Sequence, residues 1–249
     1  MDDHIKAERD GAVLCVTLAR PEKKNALTNP MYAALIEEFA RASRDETIGA
    51  VVLRGEGGAF TAGNDLADFL AAASNPSAIQ AHKFLHALVK FDKPLVAAIE
   101  GAAVGIGCTL CFHCDLVYAA PSARFQMPFV NLGLVPEAGS SLLAPQLFGR
   151  AKASEYLLLG EPFDAAEALR LGLVNAVLEP GELYSHAIAK AKALAAKPRG
   201  ALLVTRGLIR GDVAALSARI DEELKLFSQA LTSSEARNAF SAFLQKSKN

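Results

Sequence analysis

Apolar residues along this chain come in two rhythms. Short, mostly apolar runs at Ala12 to Leu18, Ala50 to Leu53, Leu95 to Ile99 and Val174 to Leu178 have the length of strands buried on both faces. Elsewhere apolar residues recur every three or four positions, as on helices with one buried stripe. The first helix is predicted to be capped by Thr28 or Asn29, with Pro30 near its first position, and to run to about Arg44 with Met31, Leu35, Ile36 and Phe39 inward. Gly55, Gly57 and Gly58 end the second strand in a loop that carries Phe60 to Leu66 into another helix, and Ser77 to Phe91 forms the next. Further helical spacing covers Ala151 to Leu159, Asp164 to Leu171, Leu183 to Ala196, Pro198 to Arg210, Val213 to Leu231 and Ser234 to Gln245. Strands and helices alternate up to about residue 120 and helices dominate afterwards. That order predicts an α/β fold with a parallel sheet core and a helical C-terminal region.

The most specific stretch runs from Pro94 to Ser141. The strand Leu95 to Ile99 leads through Gly101, Gly105 and Gly107 into a helix-forming run from Cys108 to Cys114. Glycines let the backbone approach a ligand, and the first N–H groups of the helix have no intrahelical partner, so negative charge is expected there. Further on, Leu134, Val135 and Pro136 surround a single carboxylate, Glu137. Two other readings compete. A membrane span across Leu95 to Phe112 is opposed by Glu100, by the clustered glycines and by His113 and Asp115 at its end. The spacing of Gly101, Gly105, Ile106 and Gly107 also suits the pyrophosphate turn of a short-chain dehydrogenase. Such a turn normally follows the first strand, and none of Tyr32, Tyr118, Tyr156 and Tyr184 has a lysine four residues later.

A chain of 249 residues with 51% hydrophobic side chains can fill a sizeable core. Its 26 basic and 27 acidic residues give no field to draw nucleic acid or an anionic membrane. The start, Met1 to Lys6, lacks signal or transit character and the end, Lys248 Asn249, is no peroxisomal tripeptide, so a cytoplasmic location is expected. Cys108, Cys111 and Cys114 with His113 have a metal-like spacing, but they lie on an expected buried helix where small apolar side chains are wanted. His82 and His86 share a helix face without an obvious third ligand, which favours two half-exposed helix histidines over a metal site.

Several ordered motifs carry a family resemblance. Phe60 to Leu66, Lys93 to Gly107, Cys114 to Ala119, Phe125, Asn131 to Gly139 and Gly172 to Asn175 together resemble the crotonase (enoyl-CoA hydratase/isomerase) superfamily, over roughly residues 5 to 245. The segments Gly63 to Leu66 and Val104 to Leu110 look most like its peroxisomal-type Δ3,Δ2-enoyl-CoA isomerases. The resemblance implies a β-β-α spiral core over residues 1–195, a helical trimerisation region over 196–249, and trimers or hexamers acting on acyl-CoA thioesters. It implies that the backbone N–H groups of Asn64 and Ile106 hold the thioester oxygen, with Ala62, Gly63, Asp65, Leu66 and Gly105 shaping the substrate site. Lys23 and Lys24, with Arg20, lie where CoA phosphates are expected, and Asp65 to Gln80 with the following helix where the acyl chain is expected. The hydratases of this superfamily carry glutamates at the positions matching Thr109 and Phe129; this chain has neither. Instead Glu137 matches the base of the isomerases, which need one carboxylate and no cofactor beyond the CoA of the substrate. Other acyl-CoA chemistry (hydratase, ring-epoxide or dienoyl-CoA isomerase, hydrolase) and a non-catalytic acyl-CoA-binding role remain as alternatives.

Overall fold

The computed structural model describes residues 2–68 and 79–246. The strands β1 (Ile5–Asp10) and β2 (Val13–Leu18) form an antiparallel hairpin. Sequence reasoning began the sheet at Ala12 and missed β1, because only Ile5 of that strand is fully buried and its polar residues hide the strand rhythm. β3 (Ala50–Gly55) and β4 (Leu95–Ile99) follow, with β5 (Ala102–Val104), β6 (Leu116–Ala119), β7 (Arg124–Gln126), β8 (Phe163–Asp164) and β9 (Ala176–Val177) after them. Six strands pair in the order β1-β2-β3-β4-β6-β9, parallel from β2 onward, and β5-β7-β8 form a second, smaller sheet.

Both faces of the main sheet are covered. Leu14, Val16, Val51, Leu53, Ala97 and Ile99 point into the larger core, while Cys15, Ala50, Val52, Val96 and Ala98 point the other way. On that second side lies the helix Pro180–Ala195, whose buried Leu183, Ala187 and Ala191 form one stripe. Burial on both faces is why β2, β3 and β4 read as nearly continuous apolar runs.

On the larger face, α1 (Asn29–Arg44) packs beside α2 (Gln80–Lys90). Thr28 caps α1, its hydroxyl accepting from the Met31 amide at 3.4 Å. The expected start of α2 at Ser77 lies outside the described residues, as does most of the segment expected to wall the acyl chain. The run expected as one helix from Cys108 to Cys114 is instead α3 (Ile106–Thr109) followed by a 3₁₀ turn, Leu110–His113. Ala151 to Leu159 likewise divides into α5 (Arg150–Ser154) and a π-turn, Glu155–Leu159. Between these lies α4 (Ser140–Phe148), which sequence reasoning missed because Pro145 sits inside it and Gly139 with two serines reads as loop.

After the short α6 (Ala165–Arg170) and α7 (Pro180–Ala195) come α8 (Arg199–Arg210), α9 (Val213–Leu231) and α10 (Ser234–Lys246). Buried Arg206 ties α8 to the core: its Nε lies 2.8 Å from both Asp115 carboxylate oxygens and its Nη1 donates to the Phe91 carbonyl. No helix among the described residues is long and apolar enough to cross a membrane.

Candidate active site

Two turns meet, one after β3 and one after β5. The Phe60 to Asp65 segment lies against β5, with the Thr61 amide donating to Ala102 O and the Val104 amide to Thr61 O, at 2.8 and 3.0 Å. The same segment is stitched to the preceding loop: Ala62 N donates to Lys24 O, Leu27 N to Gly63 O and Asp65 N to Leu27 O. Gly63 N is used by the Thr61 hydroxyl at 3.0 Å. From Ala62 to Asp65, therefore, only the Asn64 amide has no hydrogen-bond partner among the described residues. Opposite it, the amides of Val104 and Gly105 are used, and those of Cys108 and Thr109 bond back to Gly105 O. Ile106 and Gly107, at the start of α3, are left with unpaired amides among the described residues. The two turns touch at Gly63, where φ is +92° and an added Cβ would stand 2.8 Å from Val104 O. The sequence pattern placed these N–H groups at the start of a longer helix; with α3 only four residues long, the local N–H groups rather than a helix dipole carry most of the attraction for an anion.

Glu137 is joined to α3 through Thr109. It is 7% exposed, and the Thr109 hydroxyl donates to its Oε1 at 2.5 Å. Thr109 lies three residues beyond Ile106 on α3, a rise of about 4.5 Å along the axis, so the short helix that offers the Ile106 amide also holds the carboxyl. Burial pushes the Glu137 carboxyl up to about 8, against the lowering effect of the Thr109 hydroxyl, and the Glu223 carboxylate adds to the rise. Tyr32 connects the two sides: its hydroxyl donates to Asn64 Oδ1 at 2.6 Å, and its own proton is held first by burial and then by the field of Glu137. Thr109 is the residue whose part sequence reasoning missed. It was noted there for a lost carboxylate, and its hydroxyl proves to be the hydrogen-bond donor to the remaining one.

The Enoyl-CoA hydratase/isomerase family profile matches residues 8–249. The chain belongs to the enoyl-CoA hydratase/isomerase family. It is 36% identical to enoyl-CoA delta isomerase 2 of Rattus norvegicus over 97% of its own length, but it spans only 63% of that protein. It is 35% identical to 2,3-dehydroadipyl-CoA hydratase of Escherichia coli (strain K12), covering 96% of this chain and 94% of that one. The crystal structure of an enoyl-CoA hydratase/isomerase from Pseudoalteromonas atlantica T6c matches with a TM-score of 0.94 at 39% identity, covering 98% of each chain. The crotonase fold expected from the motifs is therefore the fold of this chain, and the dinucleotide turn is set aside.

Within this enoyl-CoA hydratase/isomerase family member the other candidate residues divide sharply. Lys23 and Lys24 are exposed, on the rim beside the Ala62 backbone. Arg20, grouped with them by sequence, is committed elsewhere: its Nη1 donates to Asp65 Oδ2 at 2.8 Å and to the Ala26 carbonyl. Asp65 also accepts from the Ala67 and Asp68 amides, so its side chain holds the loop in shape. Burial alone would raise the Asp65 carboxyl, but the Arg20 guanidinium and these amides hold it below the usual carboxylate range. Leu66 is partly buried and packs on the main core. Phe129 is buried, at the entrance to a 3₁₀ turn. Cys108 and Cys111 are buried in the core, and no group of three or more His, Cys, Asp or Glu among the described residues is placed to hold a metal. His86 pairs with Asp221 at 3.3 Å, and His82, on the same helix face, has its Nε2 buried.

Proposed function

We propose that this chain is an acyl-CoA enzyme that shifts the double bond of a 3-enoyl-CoA to the 2-position. The observation that carries this is the buried carboxyl of Glu137, held by Thr109 on the helix that begins with the unpaired Ile106 and Gly107 amides, while Thr109 and Phe129 stand where a hydratase is expected to need carboxylates. In this reading ionised Glu137 takes a proton from C2, and the Asn64 and Ile106 N–H groups hold the oxygen of the dienolate that forms. The electrons move from C2 through C3 to C4. Glu137 then returns its proton to C4, so atoms balance with one base and the reaction draws on no nucleotide, flavin or metal. The thioester oxygen becomes anionic only after C2 is deprotonated, which is when fixed donors in a dry site stabilise most.

The test is to incubate the protein with 3-enoyl-CoA and separately with 2-enoyl-CoA, and to follow double-bond position and 3-hydroxyacyl-CoA. The expected result is rapid isomerisation with hydration at least about a hundredfold slower, since Thr109 and Phe129 cannot act as the two carboxylates a water addition needs. Hydration as fast as isomerisation would overturn the reading and make Glu137 a water-activating base.

CoA phosphates are proposed to meet Lys23 and Lys24, which are exposed beside the Lys24 to Ala62 backbone link. Replacing both by alanine is expected to raise the Kd for a CoA ester severalfold at low salt and less at high salt, because exposed charges are screened beyond about 10 Å at 0.1 M. Equal affinities at low salt, measured by calorimetry, would move the phosphate site elsewhere. The homotrimer or homohexamer expected for the 196–249 region is supported by Val204, Leu208 and Ile209 on α8, which are 65, 79 and 81% exposed. A cytoplasmic location remains part of this proposal.

A further inference from the structure

The turn that carries Glu137 is held from the far end of the chain. Glu223 lies on α9 between the apolar residues Ile220, Leu224 and Phe227, and is 4% exposed. Its Oε2 accepts from the Gly139 amide at 2.6 Å, and its Oε1 from the Ser141 amide and hydroxyl at 3.0 and 2.5 Å. These are the first donors of α4, so a buried carboxylate caps that helix from a distance. The cap and the base are two residues apart along the chain, and the link between them is tied by several hydrogen bonds. Ala138 has φ +60°, Ser140 N and Oγ both bond to the Glu137 carbonyl, and the His113 ring Nε2 lies 2.7 Å from the Ala138 carbonyl. Packing closes the arrangement: a Cβ on Gly139 would stand 2.4 Å from Leu216 Cδ1 of α9.

We propose that Glu223 is a positioning residue for Glu137, clamping the Gly139 to Ser141 turn so that the base's carboxyl stays bonded to Thr109 on α3. This rests on Glu137 being the base of the proposed isomerisation. The need for a carboxylate, and not merely a side chain of that size, follows from the bonds: all three donors point at its two oxygens, which suits an ionised acceptor and leaves an amide NH2 group opposed to either the Gly139 or the Ser141 N–H.

The clamp has an electrostatic consequence. Glu137 is faced by the Thr109 hydroxyl and Cys108 from α3, by the Tyr32 phenol from α1, by neutral His113 through Ala138 and by Glu223 from α9. Glu223 is faced by the Arg219 guanidinium, whose Nη1 reaches the Ser141 hydroxyl at 3.3 Å and whose Nε pairs with Glu222 at 3.2 Å. On the side of α9 that meets α2, His86 pairs with Asp221. Among the charged groups in this set Glu223 is the one that opposes ionisation of Glu137, so the clamp also makes Glu137 a stronger base.

The experiment compares wild type with Glu223→Gln, Glu223→Asp and Glu137→Gln. The readouts are melting temperature, kcat and KM for a 3-enoyl-CoA against pH, and the ¹³C-NMR titration of the Glu137 carboxyl. Glu223→Gln is expected to lower kcat at least about tenfold with KM within about threefold, and to move both the acid limb of kcat/KM and the NMR midpoint to lower pH. Glu223→Asp keeps the charge but shortens the reach, so kcat falls while the midpoint stays near that of wild type. A folded Glu223→Gln variant with unchanged kcat and an unmoved midpoint overturns the proposal, as does a loss that follows melting temperature alone. The NMR midpoint needs no turnover, so it still judges the clamp if the isomerase reading fails; that failure shows separately as a Glu137→Gln variant with wild-type turnover.

Discussion

Glu137→Gln is expected to lower the isomerisation rate by about 10² to 10⁴, the usual contribution of a positioned base, while CoA-ester affinity stays within a few-fold of wild type. Glutamine nearly matches the shape, and its carbonyl oxygen can still accept from the Thr109 hydroxyl that now bonds Oε1 at 2.5 Å. What it loses is the ability to take a proton. Near-normal turnover would show that another group carries the proton, and lost binding would make Glu137 a structural residue. The pH profile gives an independent check. With the carboxyl pushed up to about 8 by burial, only a minor fraction is ionised at neutrality, so kcat/KM is expected to climb through pH 6 to 8 and level off above. The same substitution is expected to stabilise the fold. The native carboxyl holds its proton up to about 8 where an unfolded one loses it near 4.5, so the native state binds more protons across that window and stability falls as pH rises through it. The loss is at most about 1.4 kcal/mol per pH unit. Removing the carboxyl should therefore raise Tm clearly at pH 8.5 and little at pH 5, a trade of stability for reactivity that thermal melts at the two pH values would reveal.

Sequence showed the buried strands β2, β3 and β4 and the long amphipathic helices because each carries its own rhythm over enough residues. It hid β5, β7 and β8, which are two or three residues long and formed by pairing across the chain. It showed Glu137 as a lone acid in an apolar stretch, but not that Thr109 would bond to it, since the two are separated by twenty-eight positions and meet only through the fold. Arg20 was grouped with Lys23 and Lys24 by charge alone; only the tertiary contact with Asp65 separates it from them. Glu223 left a legible trace that sequence reasoning passed over: a carboxylate inside the apolar stripe of α9, between Ile220 and Phe227, where burial requires a partner. Its partner, the start of α4, was invisible for the reason that α4 itself was.

Gly63→Ala is expected to cost about 10² to 10³ in kcat, as much as loss of one oxyanion donor, with a smaller effect on stability. Two causes act together. At φ +92° an alanine is strained by about 1–2 kcal/mol, and its Cβ would stand 2.8 Å from Val104 O, where real Cβ atoms are not found. The strain has to be relieved by movement of backbone, because the blocking atom is a carbonyl rather than a pliable side chain. Val104 O belongs to the strand that leads directly to Gly105 and Ile106, so relief parts the two turns and carries the Asn64 amide away from that of Ile106. Donors displaced by even about 1 Å no longer meet an oxygen together. Gly58→Ala separates the two causes. Its φ of +73° imposes a similar backbone strain, yet an added Cβ there has nothing within 4 Å and the residue is remote from the Asn64 and Ile106 amides in its hydrogen bonding. Equal losses of Tm in the two variants, with kcat falling only in Gly63→Ala, would tie the rate to the meeting of the turns. Wild-type kcat in a folded Gly63→Ala variant would mean that the Asn64 and Ile106 amides do not act as a pair on the thioester oxygen.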